Sequence, residues 1–214
     1  PIRQRAQDVA ELIYSATGGE PAWILGYSMG GVVAQFLFRE APSLVKGLIL
    51  SCTFAYKPAT TLEQWQGRAL PRILRLLPPA SLANLLYPQA FGSETFPPEV
   101  VEWYKKALQR TRMEVLLSDA EEIFRVDTRP FLSQISVPTL VLGGVADLIV
   151  PVHHSRLLAD KIPQAGLILY PGAGHALIFT HRRPFVRDIH RFILSGAHIP
   201  QSPSLRSFPS QSPL

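Results

Sequence analysis

The sequence has a single cysteine, Cys52, so no disulfide can form within the chain. Its place just after the apolar Leu48-Ile49-Leu50 marks it as a small buried residue rather than a reactive thiol. No apolar run approaches the roughly eighteen residues that a membrane span needs. The opening Pro1-Ile2-Arg3-Gln4-Arg5 lacks the apolar stretch of a secretory signal, which leaves the cytoplasm as the expected location. Dense basic runs and basic patches interleaved with aromatics are also missing, so the formal charge of +5 carries no nucleic-acid signature. Arg68, Arg72 and Arg75, like Arg183, Arg187 and Arg191, fall at helical spacing and read as solvated basic faces. His153, His154, His181, His190 and His198 lack the spacing of metal ligands, so surface or structural roles are expected for them and no metal or cofactor is implied. No internal repeat is present.

What the chain does have is 214 residues with 47% apolar content, enough for one sizeable core. Its most informative segment is Gly26-Tyr27-Ser28-Met29-Gly30-Gly31, set between the apolar Ala22-Trp23-Ile24-Leu25 and the helix-like stretch from Val32 to Arg39. A serine with a glycine two positions away on each side, at a strand-to-helix turn, is the nucleophile elbow G-x-S-x-G. The turn strains the serine backbone, and bulky side chains two residues before or after it are expected to collide, which accounts for Gly26 and Gly30. The following helix aims its N-terminus at the reacting centre, so the Met29 N–H is the candidate oxyanion donor.

Around the elbow the pattern alternates. Val9, Leu12, Ile13 and Ala16 give the stretch from Ala6 to Ala16 an amphipathic helical spacing, ended by Gly18-Gly19. Val45 to Ser51 reads as a buried strand after the break at Pro42, so the elbow helix joins two apolar strands in a βαβ unit with a parallel sheet. From Phe54 to Asp127 the alternation stops. Prolines and aromatics there interrupt short helical pieces, with Trp65, Leu70, Ile73, Leu76 and Leu77 on one face and Val100, Val101, Tyr104 and Leu108 on another; Pro78-Pro79 and Pro97-Pro98 separate them. The aromatics are expected to be mostly core. Alternation resumes with a strand from Val137 to Gly143, a helix from Pro151 to Lys161, a strand from Gly166 to Tyr170 and a final helix from Ala176 to Leu194. The Ser- and Pro-rich stretch 196–214 reads as disordered. The expected organisation is a core of 1–54 and 128–195, with a helical cap at 55–127.

A serine hydroxyl needs a base, normally a histidine held by a buried carboxylate. Asp147 follows the strand that ends at Gly143-Gly144, and His175 follows the final strand in Gly172-Ala173-Gly174-His175-Ala176. In a parallel sheet, residues just past different strands meet at one edge, so Ser28, Asp147 and His175 are expected to converge. Asp127, in Val126-Asp127-Thr128-Arg129-Pro130, is expected to cap a short helix instead.

Through GYSMGG, GGVADLIVP and GAGHA the chain resembles the α/β-hydrolase superfamily over nearly its whole length up to Leu194. The resemblance implies an α/β fold, with a parallel sheet, flanking helices and an inserted mainly helical cap. The long cap is similar to that of the esterase, enol-lactonase and carbon–carbon-bond hydrolase group, and to that of the cofactor-free haloperoxidases. A serine rather than an aspartate at the elbow argues against the dehalogenase and epoxide-hydrolase branches. The implied activity is hydrolysis of a small-molecule ester, thioester or lactone, without cofactor. Perhydrolysis, lyase chemistry with the same triad, and a truncated non-catalytic protein that binds a ligand or partner stand as alternatives, and the sequence does not set an oligomeric state. The resemblance also implies strands before the first helix and a His-Gly loop carrying the second oxyanion donor. This sequence lacks them, so a partial sheet with an uncovered edge at Ala22 to Gly26 is expected.

Overall fold

The computed structural model describes residues 1–57, 60–76, 81, 84 and 98–195. The expectations for Leu77, Pro78-Pro79, Pro97 and the stretch 196–214 lie outside them, as does that for the Leu108 side chain. Four strands, β1 (Ala22–Tyr27), β2 (Val45–Ser51), β3 (Thr139–Gly144) and β4 (Gly166–Tyr170), form one parallel sheet in chain order. Pairing runs from Ala22↔Val45 to Tyr27↔Ser51, from Leu48↔Thr139 to Ser51↔Leu142, and from Leu140↔Gly166 to Gly144↔Tyr170, so all strands end on one side. Among the described residues β1 pairs on one side only, and Leu25 on it is 45% exposed.

Side-chain alternation divides the core between the two faces of the sheet. Ile24, Leu48, Leu50 and Val141 pack with helices α1 (Ile2–Thr17), α2 (Met29–Glu40) and α6 (Val152–Lys161) through Ala6, Leu37, Leu158 and Ile162. Trp23, Ile49, Leu140 and Leu142 pack on the other face with α7 (Leu177–Thr180) and α8 (Arg182–Leu194) through Leu177, Phe185 and Phe192. Each fully buried leucine, isoleucine, valine or phenylalanine among these contributes roughly 1.5–3 kcal/mol, whereas Trp23 and Ile24 on β1 are only partly buried.

Helix α1 begins a turn earlier than expected, and Gly18 ends it in the left-handed conformation (φ 67). Its inward stripe is Ile2, Ala6, Val9, Ala10 and Ile13, whereas Leu12 is 67% exposed, so Leu12 does not belong to the buried face. The single helix expected from Ala176 to Leu194 is two helices broken at His181. Pro184 supplies the reason: it lacks the N–H that would bond to the Thr180 carbonyl, and the break places it in the first turn of α8 instead.

Between β2 and β3 lie α3 (Thr61–Leu76), α4 (Pro98–Arg110) and α5 (Met113–Ile123). Pro71 sits inside α3 without ending it, and α5 is a helix that the sequence reading did not separate out. Leu70 packs on Met113, Leu116, Leu117 and Ala120 of α5 in a small cluster of its own. Among the described aromatics Phe54 is buried as expected, whereas Trp65 of α3 and Trp103 of α4 are 63% and 60% exposed, and Leu76 is 82% exposed.

Candidate active site

The elbow sits where β1 passes into α2. Ser28 has φ 53 and ψ −123, a conformation that costs a non-glycine residue roughly 1–3 kcal/mol. Surrounding bonds hold it there: the Ser28 N–H donates to the Ser51 carbonyl (2.9 Å), and the Ser28 carbonyl accepts from Gly31 N–H (2.9 Å) and Thr53 Oγ1 (2.6 Å). A Cβ on residue 26 would lie 2.6 Å from the Gly30 carbonyl oxygen, so Gly26 is required by close approach. Gly30 is not, since a Cβ there meets nothing within 4 Å among the described residues. The second indispensable glycine is Gly31, whose Cβ would lie 2.4 Å from Thr53 Oγ1. Because α2 begins at Met29, the Met29 N–H belongs to the first turn, whose amides have no partner within the helix.

Asp147, Ser28 and His175 meet at the strand ends. The buried Asp147 carboxylate accepts from Ile149 N–H (2.9 Å) and Val150 N–H (2.8 Å) through Oδ1, and lies 2.8 Å from His175 Nδ1 through Oδ2. A carboxylate can only accept, so Nδ1 carries the ring proton. Nε2, 3.0 Å from Ser28 Oγ, is then left as an acceptor for the hydroxyl. The two loops that carry acid and base are locked together by backbone. Ala146 N–H donates to the Ala173 carbonyl (2.9 Å) and Val145 N–H to the Tyr170 carbonyl (3.1 Å). A Cβ on Gly144 would lie 2.3 Å from the Ala173 carbonyl oxygen, so this contact also needs glycine.

Several neighbours were not singled out from sequence. The Tyr27 hydroxyl donates to the His175 carbonyl, and its ring meets the imidazole edge-on at 5.8 Å between centroids. Burial, before any charge effect, raises the Tyr27 pKa far above its usual value. Cys52 is buried, as expected, and its Sγ lies within 4.8 Å of donor atoms of Asp147 and His175. Burial, followed by the Asp147 charge, pushes its thiol up to about 11, so it remains protonated and does not compete as nucleophile. Thr53 had no signal in sequence beyond following a strand.

A second cluster lies further along the same loop. His154, 1% exposed, places Nε2 2.6 Å from Oε1 of Glu63, which is itself 3% exposed. Burial lowers the His154 pKa despite the hydrogen bond to Glu63. Glu63 also accepts the Thr60 N–H while its own N–H donates to Thr60 Oγ1, a capping box at the start of α3. The Thr60-x-x-Glu63 spacing was the sequence signal for this residue. Lys57 Nζ donates to the Ile149 carbonyl (2.7 Å), and burial lowers its pKa against the opposing effect of Glu63.

Other expected features fall elsewhere. Asp127 Oδ1 accepts the Arg129 N–H (3.0 Å) at the start of the 3₁₀ turn Arg129–Gln134, and its carboxylate also holds the Arg129 guanidinium (2.7 Å). Arg68, Arg72 and Arg75 line one groove with Tyr56, Phe124 and Arg125, with a volume of about 450 Å³, and none of these six belongs to the Ser28 constellation. No helix among the described residues is long and apolar enough to cross a membrane.

A parallel sheet, a strained serine between strand and helix, and an acid and a histidine after later strands define an α/β-hydrolase. The family model described as serine aminopeptidase S33 matches residues 2–181, and the chain belongs to that α/β-hydrolase family. Among curated proteins, it is 29% identical over 189 residues to a pimeloyl-[acyl-carrier protein] methyl ester esterase of Chromobacterium violaceum, covering 86% of this chain and 74% of the relative. Among solved structures, a thermophilic esterase from Thermogutta terrifontis is 27% identical with a TM-score of 0.78, over 92% of this chain and 73% of that one. The enol-lactonase from Burkholderia xenovorans LB400 is 26% identical with a TM-score of 0.79, over 90% and 73%.

Proposed function

We propose that the chain is a serine hydrolase that cleaves a carboxylic ester, thioester or lactone through an acyl-enzyme on Ser28. One observation carries this reading: the continuous hydrogen-bonded run from Asp147 through His175 to Ser28, at 2.8 and 3.0 Å. The names of the relatives, a methyl ester esterase, a thermophilic esterase and an enol-lactonase, support the bond class.

In the acylation step Ser28 Oγ attacks the carbonyl carbon as its proton passes to His175 Nε2. Asp147 stabilises the resulting imidazolium and fixes the ring, while the Met29 N–H and the α2 dipole stabilise the oxyanion. Collapse expels the alcohol or thiol, which takes the proton from Nε2. A water molecule then gives its proton to the same nitrogen and attacks the acyl-enzyme; as that intermediate collapses the acid is released and Nε2 returns the proton to Ser28 Oγ. Residues 55–127 act as the cap over a core of 1–54 and 128–195. Val100 and Tyr104 of α4 pack with Ala176, the neighbour of His175, and with Ile149, which brings this part of the cap beside the chemistry.

A fluorophosphonate probe is expected to label the folded chain on Ser28 alone, located by peptide mass spectrometry, with no label on Ser28→Ala. Labelling of another residue, or none in a sample that circular dichroism shows to be folded, would overturn the reading.

A further inference from the structure

Beyond the Ser28 constellation, Glu63 of α3 and His153 and His154 at the start of α6 bring one donor atom each to within 4.8 Å of one another. His154 Nε2 lies 2.6 Å from Glu63 Oε1, and His153 Nε2 lies 3.8 Å from Glu63 Oε2. The two imidazole rings have centroids 4.2 Å apart with planes tilted by 39°, and both place Nε2 towards the Glu63 carboxylate. His153 Nε2 and His154 Nδ1 are buried and have no hydrogen-bond partner among the described residues. Buried imidazole nitrogens left unpaired are unfavourable unless something further completes the cluster.

Two imidazoles and a carboxylate are the ligand set of zinc sites that keep a position open. With metal–ligand bonds of about 2.0–2.2 Å, a tetrahedral ion wants its donors about 3.3 Å apart. The separations found, 2.6 Å from His154 Nε2 to Oε1 and 3.8 Å from His153 Nε2 to Oε2, bracket that value but involve different carboxylate oxygens, so the Glu63 carboxylate must turn to offer one oxygen to an ion shared with both rings.

We infer that Glu63, His153 and His154 form a binding site for a divalent transition metal of the zinc class, with water as the fourth ligand. The ion takes the Nε2 lone pair of each ring. The His154 ring proton moves to Nδ1, so both ligands stay neutral; the ion supplies a partner to His153 Nε2, while His154 Nδ1 keeps none among the described residues. The Lys57 ammonium, which faces Glu63, opposes a dication and keeps the site weaker than an all-thiolate structural one. Because α6 follows directly on the loop whose amides hold Asp147, the ion joins α3 to the acid loop and acts as a staple rather than a catalyst.

The test is titration of the untagged 214-residue chain with Zn²⁺ by calorimetry and with Co²⁺ by visible spectroscopy. One equivalent is expected to bind, with the ligand-field bands of tetrahedral cobalt and no sulfur-to-cobalt charge-transfer band. His153→Asn, which changes a partly exposed ring, and Glu63→Gln should each weaken binding at least about tenfold, while Cys52→Ser retains it. Absence of binding, or binding that survives His153→Asn and Glu63→Gln and is lost in Cys52→Ser, overturns the proposal. Fluorophosphonate labelling of Ser28 is independent of each outcome.

Discussion

Two carboxylate–imidazole pairs stand at opposite ends of the stretch from Asp147 to His154, which runs from a strand-end loop into the first turn of α6, and they differ in what the second ring nitrogen meets. In Asp147–His175 the far nitrogen reaches the Ser28 hydroxyl at 3.0 Å, and the imidazole keeps 12% exposure. In Glu63–His154 the far nitrogen meets no hydrogen-bond partner among the described residues, and both side chains are sealed to 3% exposure or less. The carboxylates differ as well. Asp147 is held by two backbone amides of its own loop, whereas Glu63 comes from 91 residues away on an inserted helix. A pair built on the sheet edge and opened to a nucleophile suits proton transfer; a pair joining two elements in a closed space suits attachment.

The largest expected effect lies in the first pair. Asp147→Asn keeps the shape but lets Nδ1 act as an acceptor, so kcat for a p-nitrophenyl ester should fall by on the order of 10⁴-fold with little change in urea midpoint. A drop of less than tenfold would make the two pairs functionally alike. Next comes Glu63→Gln, read in buffer containing a chelator. Loss of a buried charged hydrogen bond should lower unfolding free energy by about 1–3 kcal/mol in urea denaturation, with kcat reduced less than tenfold. An activity loss as large as that of Asp147→Asn would place Glu63 in the chemistry. The smallest effect belongs to a third pair, Asp127–Arg129, which lies at the surface. Asp127→Asn should cost under about 1 kcal/mol. Here the side-chain hydrogen bond from Arg129 lowers the Asp127 pKa, so the carboxylate is favoured in the folded state. The stabilisation is therefore present above the unfolded value, about 3.9, and disappears as pH falls through the lower folded value, so wild type and variant should converge in acid.

The parallel sheet was legible because each strand is a short, largely apolar run, with proline just before β1 and β3 and just after β4, and β2 and β4 have the same limits in sequence and structure. Ser28, Asp147 and His175 were nameable because sheet topology alone sends residues after parallel strands to one edge. What was illegible depends on contacts between distant segments. The need for glycine at 31 rather than 30 is set by Thr53, and the exposure of Trp65 and Trp103 by which faces of α3 and α4 the described residues leave uncovered. His154 looked like one of several isolated histidines because its carboxylate partner enters from α3.

The contact between Gly144 and Ala173 has a consequence for how such a chain can change. Acid and base take their separation from main-chain bonds between two strand-end loops, so their spacing is insensitive to which side chains surround them. Substitutions at exposed positions of α3 and α4, such as Trp65 and Trp103, are therefore expected to leave the distance from Asp147 to His175 unchanged. Gly144 is the position to leave untouched.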